Sequence, residues 1–171
     1  KMLDNFDGVE VVKGNSFVDH RGELKKTIIG DIMLSVSEIL NVTSSKNVLR
    51  GMHFQEPPNA VSKLVQCTQG EILDVILDLR KSSETYLKTG SIQLTEKDDI
   101  SLFIPEGFAH GYLVLSDSAK VIYLQSGKYN SESDFSINPE SINFKWPIKN
   151  FLVSEKDKNA VSLSNYSTKF E

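Results

Sequence analysis

From Val9 to Ser126 the apolar residues come in short runs, many of them alternating with polar positions, and turn residues interrupt each run. Val9–Val12, Glu23–Ile29, Ile32–Leu40, Val48–Gln55, Ser62–Thr68, Glu71–Arg80, Thr89–Thr95, Ile100–Ile104, His110–Ser116 and Lys120–Ser126 each predict a strand. They are rich in Val, Ile and Leu, whose branched side chains suit a pleated surface. Between them stand Gly14-Asn15, Gly30-Asp31, Glu56-Pro57-Pro58-Asn59, Gln69-Gly70, Ser82-Ser83, Pro105-Glu106-Gly107 and Ser116-Asp117, which predict turns. Before residue 130 no segment holds a helical period for ten or more residues. Many short strands at this spacing predict an all-β sandwich or barrel.

Alternation also assigns faces. In Glu71–Arg80, Leu73, Val75, Leu77 and Leu79 point one way, and Ile72, Asp74, Ile76 and Asp78 the other. Two aspartates among isoleucines predict either a partly wet interior or a solvated outer face. The stretch from Ser131 to Glu171 is polar and weakly periodic; one or two short helices fit there, with Phe144 and Trp146-Pro147 as anchors to the barrel.

Composition narrows the class. A chain of 171 residues suits one domain with a real core, here 1–171 with its core over about 17–157. A net charge of −4 without a dense basic tract argues against nucleic-acid or membrane-surface partners, though not against a small anion held by a few placed cations. No apolar run approaches the ~20 residues needed to cross a bilayer, and no secretory leader pattern opens the sequence, so a cytoplasmic protein is expected. The single cysteine, Cys67, lies in a strand-like run and is expected to be a small buried hydrophobe.

Three histidines, His20, His53 and His110, carry the candidate chemistry, and two have distinctive contexts. Pro105-x-Gly107-x-x-His110 matches the second consensus box of the cupin superfamily, in which proline and glycine make a tight turn that aims the histidine inward. Metal-binding cupins carry His-x-His in the first box. Here that box reads His53-Phe54-Gln55, and two histidines without a fixed carboxylate fall short of the three protein ligands usual at a catalytic metal. No metal and no cofactor are expected.

A wider resemblance joins these pieces. Phe17-x-Asp19-x-Arg21-Gly22, Asn47-Val-Leu-Arg-Gly-Met-His-Phe-Gln55, Lys63-Leu-Val65, Asp74, Asp78-Leu-Arg80, Ile104-Pro-Glu-Gly-Phe-Ala-His-Gly111 and Ser154-Glu-Lys-Asp157 occur in order over residues 17 to 157. Together they resemble the dTDP-4-dehydrorhamnose 3,5-epimerase family. The resemblance implies a double-stranded β-helix (a cupin or jelly-roll barrel) with short C-terminal helical segments. It implies epimerisation of a nucleotide-linked 4-keto-6-deoxy sugar at C3, C5 or both.

That chemistry needs a base near neutrality, as histidine is, to remove the acidic proton beside the ketone. By resemblance the base is His53, Asp157 pairs with it, Lys63 holds the enolate oxygen, and Tyr123 is the opposite-face acid with Tyr129 as competitor. Arg21 and Arg50 would grip the diphosphate, and Gln55, His110 and Asp74 would line the substrate site. Arg50 and His53 are an odd number of residues apart, so a regular strand would face them oppositely unless Gly51 breaks the pleat. The resemblance also implies a homodimer whose N-terminal strands are exchanged.

The chain departs from the family pattern at several recognition positions. Ile39-Leu-Asn-Val-Thr-Ser-Ser45 covers a Gln-x-Asn-x-Ser pattern only loosely, Lys26 replaces a glutamate, and Lys128 replaces an aromatic residue. GDP- and CDP-linked sugars, including heptoses of bacterial capsule pathways, therefore stand beside dTDP-linked ones. Two other classes remain open: a nucleotide-sugar 3,4-ketoisomerase on the same scaffold, and a non-catalytic nucleotide-sugar-binding cupin.

Overall fold

The computed structural model describes Leu3 and residues 5–171. Eleven strands form two antiparallel sheets: β1 (Glu10–Asp19), β2 (Gly22–Thr27), β3 (Val36–Ser45), β4 (Leu49–Gln55), β5 (Lys63–Gln69), β6 (Glu71–Asp78), β7 (Thr89–Thr95), β8 (Ile100–Ile104), β9 (Phe108–Val114), β10 (Ser118–Ser126) and β11 (Asp134–Ser136). One sheet runs β2-β1-β8-β5-β10-β3 and the other β11-β4-β9-β6-β7. A short helix α1 (Glu155–Lys158) and a 3₁₀ turn (Leu163–Asn165) follow. This is the expected cupin-type barrel with its short C-terminal helical segments.

Where the sequence reading and the structure differ, packing decides. Gly14-Asn15 is no turn: β1 runs straight through it, pairing with β8 before Gly14 and with β2 from Gly14 onward. At the crossover a Cβ on Gly14 would lie 2.5 Å from the Lys26 carbonyl oxygen, so only glycine lets the strands meet. β3 begins at Val36 and continues to Ser45, although its second half is polar. It is an edge strand paired only with β10, so its residues need not be apolar on both faces.

β6 is buried on both faces, which settles the alternation in Glu71–Arg80. Ile72 and Ile76 join Val65, Leu102, Ile104, Tyr112 and Val121 in a core between the sheets. Val75, Leu77 and Leu79 face outward into a second core, with Met52, Phe54, Ile137 and Phe170. The C-terminal segment closes this second core, bringing Phe144, Trp146, Leu163 and Tyr166 against it. Trp146 donates its ring N–H to the Pro139 carbonyl at 2.9 Å, which fixes the expected anchor. Each large side chain buried this way stabilises by about 1.5–3 kcal/mol. Asp78 ends β6 as a satisfied turn residue, accepting from Arg80, Ser83 and Thr85. Of the two aspartates on β6, Asp74 is the one directed into the barrel, beside His110.

The feature that shapes the cleft is a bulge in β4. Arg50 pairs with Tyr112 and His53 with His110, so three residues advance on β4 for two on β9. The extra residue restores phase, and Arg50, His53 and Gln55 all face inward while Met52 and Phe54 face the outer core. Gly51 makes the bulge possible: its φ is +127°, and a Cβ there would lie 2.5 Å from the Gly111 Cα. The odd spacing between Arg50 and His53 is thus reconciled by the glycine between them.

Candidate active site

A cleft of about 350 Å³ opens between the two sheets. Its polar lining comes from both. Arg50, His53 and Gln55 arrive on β4 and His110 on β9; Lys63 comes from β5 and Tyr123 from β10. Leu40, Val42 and Val61 form an apolar patch within it, and Glu38, Tyr129, Asp134 and Lys156 also line it.

His53 is held from behind. Its Nε2 lies 2.6 Å from Asp157 Oδ1, which leaves Nδ1 as the ring nitrogen not engaged by the carboxylate. Asp157 is only 2% exposed. It sits in α1, which starts because the Ser154 side chain caps it by accepting from the Asp157 N–H at 3.1 Å. Burial works to raise the Asp157 carboxyl, but donation from His53, the Gly51 N–H and the Ser136 hydroxyl outweighs it and holds the group below the usual carboxylate range. The carboxylate is therefore an anion placed to steady an imidazolium.

Lys63 stands on the opposite wall. Burial pulls its ammonium down to about 8, against the counteracting charges of Asp74 and Asp134. A desolvated cation of this kind interacts strongly with any negative charge that forms beside it. Tyr123, on the same sheet, is pushed well above the ordinary phenol range by burial and by its neighbours Tyr112 and Asp74. It stays protonated at neutral pH and so is a donor.

The remaining expected residues divide. His110 Nε2 lies 2.8 Å from Asp74 Oδ2, both buried, and its ring meets Tyr123 edge-on at 5.6 Å. Arg50 donates its Nε to Ser44 at 2.8 Å, and its terminal nitrogens have no partner among the described residues. Tyr129 sits at the lip, 62% exposed. Gln55 lines the cleft, but its amide braces the loop carrying Tyr129: both protons go to the Asn59 and Lys128 carbonyls, and its oxygen accepts the Asn130 N–H. Arg21 is not brought to this cleft. It lies in the turn between β1 and β2, with a side chain 79% exposed and paired to Asp19.

Three charged residues of the cleft had not been expected as part of it. Lys156 and Asp134 form an ion pair of 2.6 Å at the rim, and Glu38 accepts the Tyr129 N–H. Lys156 was within sight, one residue before Asp157 in a motif already singled out. Asp134 lies where polar sequence hid β11, whereas Glu38 falls within the expected strand Ile32–Leu40 and carried no motif to mark it. Among the described residues no three His, Cys, Asp or Glu side chains converge as metal ligands would.

A family model described as dTDP-4-dehydrorhamnose 3,5-epimerase matches residues 4–165. An enzyme of that description from Shigella flexneri is 46% identical over 118 residues, 68% of this chain and 65% of the relative. The chain thus spans slightly less than two thirds of that relative's length. A homologue of the same description from Methanothermobacter thermautotrophicus is 37% identical over 167 residues, covering 91% of this chain and 89% of the relative. Among solved structures, a dTDP-6-deoxy-D-glucose-3,5-epimerase from Legionella pneumophila in complex with dTDP-4-keto-L-rhamnose superposes with a TM-score of 0.88. It has 29% identity and covers 95% of this chain and 91% of that one.

Proposed function

Because this chain belongs to the dTDP-4-dehydrorhamnose 3,5-epimerase family, we propose that it epimerises a nucleotide-diphosphate-linked 4-keto-6-deoxy sugar without a metal or cofactor. The observation that carries the reading is the opposition of base and acid. His53 stands on one sheet, and Tyr123 and Lys63 on the other, so a sugar ring lying between them presents one face to each. His53 Nδ1 removes the proton beside the C4 ketone, and the charge passes to the ketone oxygen as an enolate. Lys63 neutralises that oxygen, Asp157 steadies the imidazolium, and Tyr123 returns a proton to the opposite face. Inversion at C3 alone or at both C3 and C5 uses the same groups; ring turnover between steps decides.

The terminal nitrogens of Arg50 suit the diphosphate, since the guanidinium fork matches phosphate oxygens. Arg21 reaches a site only in a homodimer, where the β1–β2 hairpin of one protomer crosses to its partner. What supports this is the hairpin's exposed apolar surface: Phe17, Val18 and Leu24 are 58%, 76% and 60% exposed. The nucleotide is dTDP, as in the relatives. Lys26 and Lys128 keep GDP or CDP as the second reading. A thermal-shift comparison decides, because a ligand bound only by the folded state raises the midpoint in step with its affinity. dTDP is expected to give the largest rise; a larger rise with GDP or CDP would transfer the assignment. We place the reaction in the cytoplasm, in the supply of sugars for capsule or lipopolysaccharide.

The reaction itself is tested by product analysis with dTDP-4-keto-6-deoxyglucose. The expected product is inverted at C3, C5 or both, with its ketone still at C4; a ketone found at C3 would assign the ketoisomerase class instead. Replacing Tyr123 with phenylalanine separates the two proton transfers. We expect loss of the substrate proton to persist while inversion falls about 10²-fold or more at one carbon at least. Unaltered inversion would move the acid role to Tyr129 or to water.

A further inference from the structure

We infer that Ser136 is a positioning residue for the His53–Asp157 pair: its hydroxyl fixes the carboxylate that orients the base. The inference rests on the reading of His53 as the base. Ser136 belongs to β11, which the sequence did not disclose, and it lies directly across from His53 in the β11–β4 register. Its Oγ donates to Asp157 Oδ1 at 3.0 Å, the same oxygen that holds His53 Nε2 at 2.6 Å. The other oxygen, Oδ2, accepts the Gly51 N–H at 3.2 Å. Donors from β4 and β11 therefore converge on a carboxylate carried by α1.

Asp157 does not need Ser136 merely to be satisfied, because each of its oxygens already has a donor. The third hydrogen bond ties Oδ1, the oxygen that holds the His53 ring, to β11 as well as to β4. Ser136 itself cannot drift. The next residue, Ile137, exchanges both backbone hydrogen bonds with Met52, at 3.0 and 3.1 Å, and its side chain is fully buried in the outer core. Ser136 is not part of the cleft lining, so it acts through Asp157 and not on substrate. Beside the His53 ring, the charges closest by among the described residues are those of α1 itself and, through Lys156, Asp134 of β11. Of these Lys156, which also lines the cleft, is paired with Asp134 across the rim.

Donation by Ser136 also draws charge away from Oδ1. Without it that oxygen concentrates its charge on the imidazole, favours the protonated ring, and leaves less of the free base. A residue that only packed would change none of this.

The test compares Ser136→Ala and Ser136→Thr with the unaltered protein. For Ser136→Ala we expect kcat to fall about tenfold, the scale of one hydrogen bond to a charged group, with KM little changed and the acid limb of kcat/KM moved to higher pH. The proton that His53 shares with Asp157, read by nuclear magnetic resonance in the ligand-free protein, is expected to shift and to exchange faster with water. Ser136→Thr keeps a hydroxyl and is expected to restore rate, limb and resonance. An alanine variant with an unchanged resonance and unchanged kcat would overturn the inference, as would a threonine variant as impaired as alanine. An unaltered protein that fails to turn over refutes the epimerase reading alone, since the resonance still reports whether Ser136 sets the pair.

Discussion

Replacing His53 with alanine is expected to lower the rate of proton exchange beside the sugar ketone by about 10³-fold or more, with binding of the nucleotide diphosphate little changed. The size follows from the role: a positioned general base contributes about 10²–10⁴-fold, and here the replacement also leaves Asp157 without the imidazolium it is placed to steady. Binding should survive because Arg50, anchored on Ser44, is separate from the His53–Asp157 pair. The fold should survive too. The pleat around His53 is set by the bulge at Gly51 and by the outer-core packing of Met52 and Phe54, not by the imidazole. Exchange followed by the loss of the substrate proton signal, beside a dTDP titration, checks both halves. Exchange at the unaltered rate would remove His53 from the mechanism.

The second large effect is at Lys63. Its ammonium is desolvated, which brings it down to about 8 and would strengthen its hold on the proposed enolate. Changing Lys63 to methionine is expected to cost about 10²–10³ in kcat, the range found when a preorganised donor to a developing oxyanion is removed. The fold should tolerate the change, since an apolar side chain of similar length relieves a desolvation penalty. The pH dependence has a definite sign. The charged form is present below its value and lost above it, so kcat is expected to decline as pH rises through about 8. The methionine variant should lack that decline. A rate for Lys63→Met near the unaltered one would leave the enolate without its stabiliser and refute the assignment.

Much of this was legible in the sequence because the informative residues sit on well-patterned strands. Lys63-Leu-Val and Pro105-x-Gly-x-x-His lie in runs that read as strands, and their inward aim was implied by the family resemblance and the cupin box, not by alternation. The bulge was legible only as a problem: alternation set Arg50 and His53 apart, and nothing but a glycine between them hinted that the pleat slips. β11 was invisible because three residues cannot display a period, so Ser136 and Asp134 went unnoticed although they flank the base and the rim. The outer core was half visible. Phe144 and Trp146 announced an anchor, but that β6 would be covered on its second face depended on where a polar-looking tail travels. Arg21 marks another boundary. Its motif is clear, yet its side chain lies in the exposed β1–β2 turn, paired to Asp19 and away from the cleft that holds His53.

Entry of solvent hydrogen at carbon is the most direct signature of the proposed proton transfer. Incubated with dTDP-4-keto-6-deoxyglucose in deuterated water, the unaltered protein is predicted to place deuterium at C3, C5 or both, on carbons whose configuration has inverted. A substrate recovered without deuterium, under conditions where dTDP raises the thermal midpoint, would show a protein that binds the nucleotide sugar and performs no proton transfer.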